Sequence, residues 1–332
     1  MSPRPASGHH SVETGRDRIA IIGAGHVGAT AAYALMLRAL FREIVLIDSD
    51  ANRAAAEAQD IADANALARP ARIWFGDYAD AATASIAVVT AGAATHGAET
   101  RLSVAARSAA IVGECVTKLS AAGFNGIILV ASNPVDLMTM IAYDCADLPA
   151  NRVIGTGTLL DSSRLRTLLA RELDVASGSV DALVLGEHGD SEVALMSVVR
   201  VGGLLLADFS DAGGNLDQLE LAQTVRSAGY GIVSGKGYTS YGVATAIVRI
   251  CEAIVRDEKV ILPVSTRVSG AFGLSGIYMS MPCILGAAGV ERMLIPSMST
   301  EEATALGASG ATLRAAYASL CRDQHTPDRS IF

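Results

Sequence analysis

Long apolar runs, paired cysteines and an excess of positive charge are all missing from this chain of 332 residues. Its longest apolar stretches, residues 85–94 and 127–131, are far shorter than the roughly 20 residues that a membrane-spanning helix needs. Lys and Arg total 26 against 34 Asp and Glu, which gives a formal net charge of −8. An acidic chain without a basic run is poorly suited to nucleic acid or to an anionic membrane, so we predict neither as a partner.

The five cysteines are odd in number, widely spaced and never arranged as CxxC. This pattern argues against a disulfide framework and against a zinc ribbon, and it favours a reducing compartment. The first 17 residues are polar and contain no apolar core, so they do not form a signal peptide. We predict a disordered tail over residues 1–17 and a cytoplasmic protein.

Apolar residues are abundant, at 51% of the chain against 18% charged, which excludes wholesale disorder. Short apolar runs alternate with helix-like stretches, in the order 19–22, 27–40, 44–47, 51–68, 86–90, 102–122 and 127–131. Apolar runs without polar alternation indicate parallel strands that are buried on both faces. We therefore predict an α/β fold, with a Rossmann-type doubly wound parallel sheet over residues 18–155.

Residues 156–332 show a different pattern, which predicts an α+β substrate and catalytic domain. Helix-like segments occupy residues 162–172, 216–234 and 241–257. The apolar strands between them are short and interrupted by Gly and Pro, at residues 180–185, 198–201 and 277–284. The boundary between the two domains is placed near Gly155.

Residues 23–28 have the sequence GAGHVG, a GxGxxG pattern between a predicted strand and a predicted helix. Gly23 permits the tight turn, Gly25 lets the backbone approach a pyrophosphate, and Gly28 lets the helix pack closely on the sheet. Asp48 ends the next strand 20 residues after Gly28, the spacing that a dinucleotide-binding fingerprint requires. The alternative is a strand, turn and helix whose glycines serve packing only.

A carboxylate at Asp48 would accept hydrogen bonds from a ribose and repel a 2′-phosphate, which favours NAD over NADP. Arg53, five residues further on, weakens that preference. We predict NAD as the cofactor, with His26 and Val27 among the loop residues that border it. The side chain of His26 is given no role.

Four further motifs follow in the chain, GAETRL at 97–102, SNPVD at 132–136, GTGTLLDSSRLR at 155–166 and GEHGDSEV at 186–193. With the glycine loop, in this order and spacing, they resemble the L-lactate/L-malate dehydrogenase family, and within it the bacterial lactate enzymes. The resemblance covers residues 18 to about 313, through KGYTSYG at 236–242, LPVST within 257–266 and SMPCILG at 280–286.

Oxidation of a 2-hydroxy acid needs an acceptor for the hydroxyl proton, and a neutral imidazole suits this role near pH 7. His188 stands in a Gly-rich turn and is predicted to be that base. An acid must orient the ring and stabilise the imidazolium, a role that the resemblance gives to Asp161. The substrate carboxylate needs a planar, two-pronged cation, which favours Arg over Lys and points to Arg164, three residues after Asp161.

The resemblance implies further groups around the reacting atoms. Arg101 would stabilise charge on the carbonyl oxygen, from a loop over residues 94–101 that closes on the substrate in this family. Asn133 would hydrogen-bond the carbonyl or hydroxyl oxygen near the nicotinamide, with a cis peptide bond to Pro134. Gly92 and Ser132 would border the cofactor.

Each of these assignments has a structural alternative. Asp161 and Arg164 also suit a helix N-cap and a surface ion pair, His188 suits a core histidine, and Arg101 suits an exposed helix start. Metal ligands are not predicted, because neither an HExxH motif nor a third clustered ligand accompanies the acidic neighbours of His188. These neighbours are interpreted as turn residues, namely Glu187 and Asp190.

Two other functions are compatible with parts of the pattern. NAD-dependent glycosidases of this architecture hold a metal partly through a Cys in the segment that matches SNP, where this chain has Ser132 and no Cys. A non-catalytic dinucleotide-binding module would keep the glycine loop but would not need the Asp, Arg and His set. Both are therefore less favoured than a dehydrogenase.

The chain departs from the family at the position six residues before the loop arginine, which is Gln in lactate enzymes and Arg in malate enzymes. Here this position is Thr95, which cannot neutralise the second carboxylate of malate, and burying that carboxylate without a cation costs several kcal/mol. His96 could supply a cation if protonated. We therefore expect a lactate-type enzyme, with malate or a broader range of 2-hydroxy acids as alternatives. Thr239 would line the same pocket.

A second departure concerns regulation. Many bacterial lactate dehydrogenases bind fructose 1,6-bisphosphate at a subunit interface through an arginine, here Arg166, and a histidine seven residues before the catalytic one. That second position is Asp181, whose carboxylate would repel phosphate, so we predict no activation. The resemblance also implies a glycolytic enzyme that forms a homodimer or homotetramer.

Overall fold

The computed structural model describes residues 17–68, 70–93, 101–209 and 216–324, with only the backbone described at 101–103 and 323–324. Nearly all of the predicted tail, residues 1–16, lies outside these ranges. So do residues 94–100, which form most of the predicted closing loop.

The first half of the chain alternates strands and helices as predicted. Its elements are β1 (Arg18–Ile22), α1 (His26–Leu37), β2 (Glu43–Ile47), α2 (Ala51–Asn65), β3 (Arg72–Phe75), α3 (Tyr78–Ala81), β4 (Ile86–Val89), α4 (Arg101–Ala121), β5 (Ile127–Val130), α5 (Val135–Cys145) and β6 (Val153–Gly155). The six strands pair in parallel in the order β6-β5-β4-β1-β2-β3. This order reverses between β1 and β4 and confirms the doubly wound sheet.

Burial explains why the apolar runs form these strands. Every residue of β4 and β5, and all but the first residue of β1 and β2, is buried. Side chains that are buried on both faces of a parallel sheet have no reason to alternate with polar ones. The carboxyl ends of β1, β4, β5 and β6 therefore meet at one edge, which is where ligands bind in open α/β sheets.

The second half mixes helices with antiparallel strands, most of them short, which confirms its predicted α+β character. Its elements are α6 (Leu159–Glu172), β7 (Val180–Asp181), β8 (Val184–Leu185), β9 (Val193–Ala194), β10 (Arg200–Val201), β11 (Leu204–Leu205), α7 (Gln218–Lys236), α8 (Tyr241–Val255), β12 (Val260–Ser269), β13 (Ser275–Gly286), β14 (Gly289–Met293) and α9 (Thr300–Gln324). The strand predicted over 180–185 is two strands, which belong to two different small sheets.

One sheet runs through both halves of the molecule. Strands β12, β13 and β14 pair antiparallel and continue the parallel sheet beyond β6, where Ser265 lies opposite Gly155. The result is a sheet of nine strands within the described residues. The division into domains at residue 155 stays a prediction, and the sheet passes through that point.

Among the helices in the described ranges, none is both long enough and apolar enough to cross a membrane.

Candidate active site

A cavity of about 670 Å³ opens at the carboxyl edge of the parallel strands, a volume within the range of small-molecule sites. It lies between the end of β5, the start of α6, the turn that carries His188, and helices α7 and α8. Several of the residues predicted from the sequence line it, namely Val27, Asn133, Asp161, Arg164, His188 and Thr239.

Asp161 is the residue that joins the predicted chemical groups. One of its carboxylate oxygens, Oδ2, lies 2.6 Å from His188 Nδ1, and the other, Oδ1, accepts a hydrogen bond of 2.8 Å from Arg164 Nη1. The Asp161 side chain is only 2% exposed, so this is not a surface ion pair. The helix N-cap is Thr158 and not Asp161, so the alternative of a capping residue is also wrong.

The start of α6 explains this placement. The helix begins at Leu159, so Asp161 lies in its first turn, where the helix dipole favours a negative charge. Arg164 is one turn later, and residues three apart lie on the same face of a helix. Ser162, between them, faces the opposite way and exchanges hydrogen bonds with the main chain of Val184.

The turn that carries His188 is fixed by contacts with other elements. Gly186 has a φ of +90°, a value that favours glycine, and its main chain exchanges two hydrogen bonds with Ser280 of β13. The His188 N–H donates to Asp136 Oδ2 over 2.7 Å, and Asp136 Oδ1 accepts from the Ser265 hydroxyl. The His188 side chain is 28% exposed and borders the cavity, so it is not a core histidine.

The charges around His188 favour the imidazolium. Burial alone would lower the pKa of His188, but the hydrogen bond and charge of Asp161, with smaller contributions from the Asp136 and Glu192 carboxylates, raise it to about 9. Burial would raise the pKa of Asp161, yet His188 and Arg164 hold it below its usual value. At neutral pH the pair is therefore an imidazolium held against a carboxylate, and Nε2 is the ring nitrogen left to give up a proton.

The glycine loop has the shape expected for a dinucleotide. Gly23 has a φ of +105°, and a Cβ on Gly28 would lie 1.9 Å from the Gly23 carbonyl oxygen, whereas a Cβ on Gly25 would meet nothing within 4 Å. Helix α1 begins just after Gly25, and no side chain caps it. Its first N–H groups are therefore not occupied by a capping side chain, as a phosphate-binding helix start requires.

Asp48 lies at the far side of this loop. Its Oδ2 accepts from the Ala24 N–H over 2.7 Å and its Oδ1 from the Asp50 N–H over 2.9 Å. A carboxylate has about four lone-pair sites, so acceptor capacity for ribose hydroxyls is left. The residues of the loop and of this strand end therefore fit an adenosine dinucleotide.

Several predicted residues are not brought to the cavity itself. Gly23, Gly25, Gly28 and Asp48 do not line it. Gly92 and Ser132 do not line it either, and the Ser132 hydroxyl is bonded to the carbonyl oxygens of Val89 and Ala91. A Cβ on Gly92 would lie 3.9 Å from that of Ser132, so these two positions are neighbours. Their role in binding the cofactor stays a prediction.

Other predictions fall partly outside the described part of the chain. Thr95 and His96 are not described, and Arg101 is described only as the first backbone residue of α4. The Asn133–Pro134 bond is cis, as the resemblance implies.

Two family models match consecutive parts of the chain. The NAD-binding domain of lactate/malate dehydrogenase matches residues 17–155, and the alpha/beta C-terminal domain of lactate/malate dehydrogenase matches residues 158–322. The chain belongs to the lactate/malate dehydrogenase family. The first of these models confirms NAD as the cofactor predicted from the glycine loop.

Individual members of the lactate/malate dehydrogenase family are similar to this chain along nearly their whole length. L-lactate dehydrogenase of Thermus aquaticus is 42% identical over 307 residues, which is 91% of this chain and 99% of that protein. L-lactate dehydrogenase 1 of Lactococcus lactis subsp. lactis is 39% identical over 303 residues, 90% of this chain and 93% of that protein.

Solved structures of lactate dehydrogenases share the fold. The minor L-lactate dehydrogenase of Enterococcus mundtii, in its ligands-bound form, superposes with a TM-score of 0.89 at 35% identity, covering 92% of this chain and 98% of that one. The lactate dehydrogenase MGS-M5, from a deep-sea metagenome library of the Medee basin, has the same TM-score at 36% identity, covering 92% and 99%.

Sequence reasoning missed groups that lie against the predicted dehydrogenase site. Glu192 is 6% exposed, and one of its carboxylate oxygens lies within 4.8 Å of ligand-type atoms of both Asp161 and His188. The sequence analysis found no third clustered ligand near His188, and Glu192 corrects that premise. Nδ1 of His188 is already engaged by Asp161, and the absence of a metal stays a prediction.

A second missed contact involves His26, to which the sequence analysis gave no side-chain role. Its ring stacks on that of Tyr238, with the centroids 3.9 Å apart and the planes at 11°. Tyr238 directly precedes Thr239, which lines the cavity. The stack therefore joins the cofactor loop to the segment between α7 and α8.

The acidic neighbours of His188 line the cavity and are hydrogen-bonded, one within the turn and the other to helix α7. The Glu187 carboxylate accepts from the Ser191 hydroxyl, and Asp190 Oδ1 accepts from the Tyr230 hydroxyl over 3.0 Å.

Proposed function

We propose that this chain is an NAD-dependent L-lactate dehydrogenase that interconverts lactate and pyruvate, with His188 as the proton donor and acceptor. The observation that carries the proposal is the Asp161 carboxylate, which holds His188 with one oxygen and Arg164 with the other at the wall of one cavity. The similar proteins named L-lactate dehydrogenase support it.

In the direction of reduction, the Arg164 guanidinium binds the carboxylate of pyruvate, and a charge-assisted pair of this kind orients as well as binds. The His188 imidazolium then gives a proton to the carbonyl oxygen, while Asp161 keeps the ring in place and stabilises its charge. Asn133 donates a hydrogen bond to the same oxygen, and Arg101 counters the negative charge that develops there. Lactate oxidation reverses these steps.

The cofactor would be held by the loop of Gly23, Gly25 and Gly28, by Asp48 at the ribose, and by Gly92 and Ser132 along the sheet edge. When bound, NAD supplies the hydride chemistry at C2 of the substrate.

The substrate is assigned from Thr95, Thr239 and the size of the side chain to be accommodated. Neither threonine supplies a cation for a second carboxylate, so pyruvate should have at least a ten-fold higher kcat/KM than oxaloacetate with NADH, a difference of about 1.4 kcal/mol or more in transition-state binding. Steady-state assays on both acids, and on 2-oxo acids with longer side chains, test this. A preference for oxaloacetate would instead assign a malate dehydrogenase, and equal rates across the panel a broad 2-hydroxy acid dehydrogenase.

We also propose a cytoplasmic homodimer or homotetramer with a role in glycolysis. Helices α1 and α2 pack side by side, and α1 exposes Tyr33 and Leu37 while α2 exposes Ala55 and Ala56. Tyr33 and Leu37 are the large apolar side chains on this side that a second copy of the chain would cover. Sedimentation would distinguish the two assemblies.

A further inference from the structure

Glu192 is a buried acid that the proposed mechanism does not use. It follows the turn of His188 and directly precedes β9. The residue is 6% exposed and lines the cavity. Within the described residues, no hydrogen bond is made to its carboxyl oxygens. These oxygens are not among the fully buried unpaired atoms and belong to the cavity wall. With so little of the residue in contact with water, the carboxylate is still less favourable there than the neutral carboxylic acid.

The charged groups that face Glu192 come from three elements. Asp161 and Arg164 lie on α6, His188 lies on the same turn, and Arg226 reaches across from α7. Arg226 Nη2 donates to the main-chain oxygen of Glu192 over 3.1 Å, and Arg226 Nε is buried without a partner. The cation thus holds the backbone of Glu192 and does not pair with its carboxylate.

Burial, followed by the negative charge of Asp161, raises the pKa of Glu192 to about 8, although His188, Arg226 and Arg164 oppose this rise. Glu192 is then largely neutral at neutral pH, while the cations Arg164, Arg226 and His188 share the cavity wall with the acids Asp161, Glu187 and Asp190. In its protonated form Glu192 adds no further negative charge beside Arg164, where an anionic substrate would bind.

We propose that Glu192 must carry a proton for the 2-oxo acid to bind, so that its ionisation prevents substrate binding at alkaline pH. The inference rests on the proposed function. The ionised form would place a second carboxylate beside the anion held by Arg164, and like charges in a desolvated cavity repel strongly.

This role predicts a particular dependence of binding on pH. If only the protonated form of Glu192 binds the anion, the dissociation constant rises about ten-fold per pH unit above the pKa of Glu192. The imidazolium of His188 is needed as well and is lost above about pH 9. Binding should therefore weaken in two steps as the pH rises, first when Glu192 loses its proton and then when His188 loses its proton as well.

The experiment uses oxamate, an unreactive isostere of pyruvate, and the full chain saturated with NADH. Its dissociation constant is measured from pH 6 to 10 by quenching of NADH fluorescence. In the wild type the constant should begin to rise near pH 8 and reach a slope of two logarithmic units per pH unit above pH 9. In Glu192→Gln only the His188 proton is left to lose, so the constant should rise with a slope that never exceeds one. This rise begins below about pH 9, because the charge of Glu192 no longer raises the pKa of His188.

Glu187→Gln is the matched control, because Glu187 belongs to the same turn but its carboxylate is bonded to Ser191. It should keep the wild-type break near pH 8. A Glu192→Gln profile that superposes on the wild type would overturn the proposal.

If Glu192→Gln does not fold, calorimetry on the wild type in two buffers of different ionisation enthalpy serves instead. At pH 8.5 oxamate binding should take up protons by both Glu192 and His188, and uptake that His188 alone explains would overturn the role of Glu192. Failure of the proposed function would look different, since neither oxamate binding nor pyruvate turnover would then occur at any pH.

Discussion

Two loops meet at the candidate active site, and they are built in opposite ways. The loop over residues 23–28 takes its shape from side chains that are absent, since a Cβ on Gly28 would lie 1.9 Å from the Gly23 carbonyl oxygen. The turn over residues 186–191 takes its shape from side chains supplied by other elements, with Asp136 of α5 holding the His188 N–H and Ser309 of α9 holding the Glu187 N–H.

The first loop provides a backbone shape for the cofactor, whereas the second provides a reactive side chain. A loop whose close contacts require glycine is damaged by a methyl group at those contacts, yet it contributes no titrating group to the cavity. A turn that is anchored through its backbone can exchange its functional side chain and keep its shape. Substitutions in the two loops should therefore fail in different assays, and the predictions below test this from the largest effect to the smallest.

His188→Asn should abolish the chemistry and leave the cofactor site intact. The loss of a general acid–base group typically lowers rates by about 10²–10⁴-fold, whereas the backbone anchor to Asp136 does not depend on the side chain at residue 188. Steady-state kinetics of pyruvate reduction gives the first quantity and fluorescence titration with NADH the second. Retained turnover would refute the assignment of His188, and lost NADH binding would refute the separation of the two loops.

Gly28→Ala should act on folding and on the cofactor together. The new methyl group would overlap the Gly23 carbonyl oxygen, and overpacking of this kind costs about 1–3 kcal/mol of unfolding free energy. Chemical denaturation and NADH titration measure the two effects.

Gly25→Ala is the informative partner of that variant. Its Cβ would meet nothing within 4 Å, so stability should be unchanged while NADH binds more weakly, because the methyl group occupies the space into which the pyrophosphate fits. Equal stability losses in both variants would show that the glycines serve packing only.

The parts of the fold that could be predicted from the sequence are those where burial is uniform. Strands β4 and β5 are apolar throughout, and β1 and β2 are apolar after one charged first residue. All four were predicted to within one residue at each end. Strand β3 at the sheet edge, with sequence RIWF, is half-exposed and lacks that pattern. Helix α5 was missed for the opposite reason, since its first eight residues are all buried and leave no helical periodicity to detect.

The site divides in the same way. Motifs were sufficient to predict Asp161, Arg164 and His188, because residue type and local spacing carry their chemistry. Glu192 lay inside a quoted motif, but its proximity to Asp161 depends on how β9 and α6 pack, which no local spacing records. The stack of His26 on Tyr238 joins residues 212 positions apart, so only the tertiary structure shows it.

The stack links the loop over residues 23–28 to the segment 236–242, which contributes Thr239 to the cavity wall. His26→Ala, Tyr238→Ala and the double variant should show a coupling of about 0.5 kcal/mol in unfolding free energy, the lower end for aromatic pairs because both rings are partly exposed. Denaturant titration of the three variants measures it, and His26→Phe should retain most of the coupling. Strictly additive effects would mean that the rings touch without stabilising the contact.

The smallest expected effect is none at all, on addition of fructose 1,6-bisphosphate. Arg166 already donates from Nε to the Ala182 carbonyl oxygen over 3.1 Å, and Asp181 beside it is an exposed acid, so a phosphate would meet a committed cation and a repelling charge. Both loops are also held by contacts within one chain and need no effector to order them. Pyruvate saturation curves with and without the sugar bisphosphate should superpose. Sigmoidal kinetics that become hyperbolic on its addition would show instead that the turn of His188 depends on a neighbouring subunit.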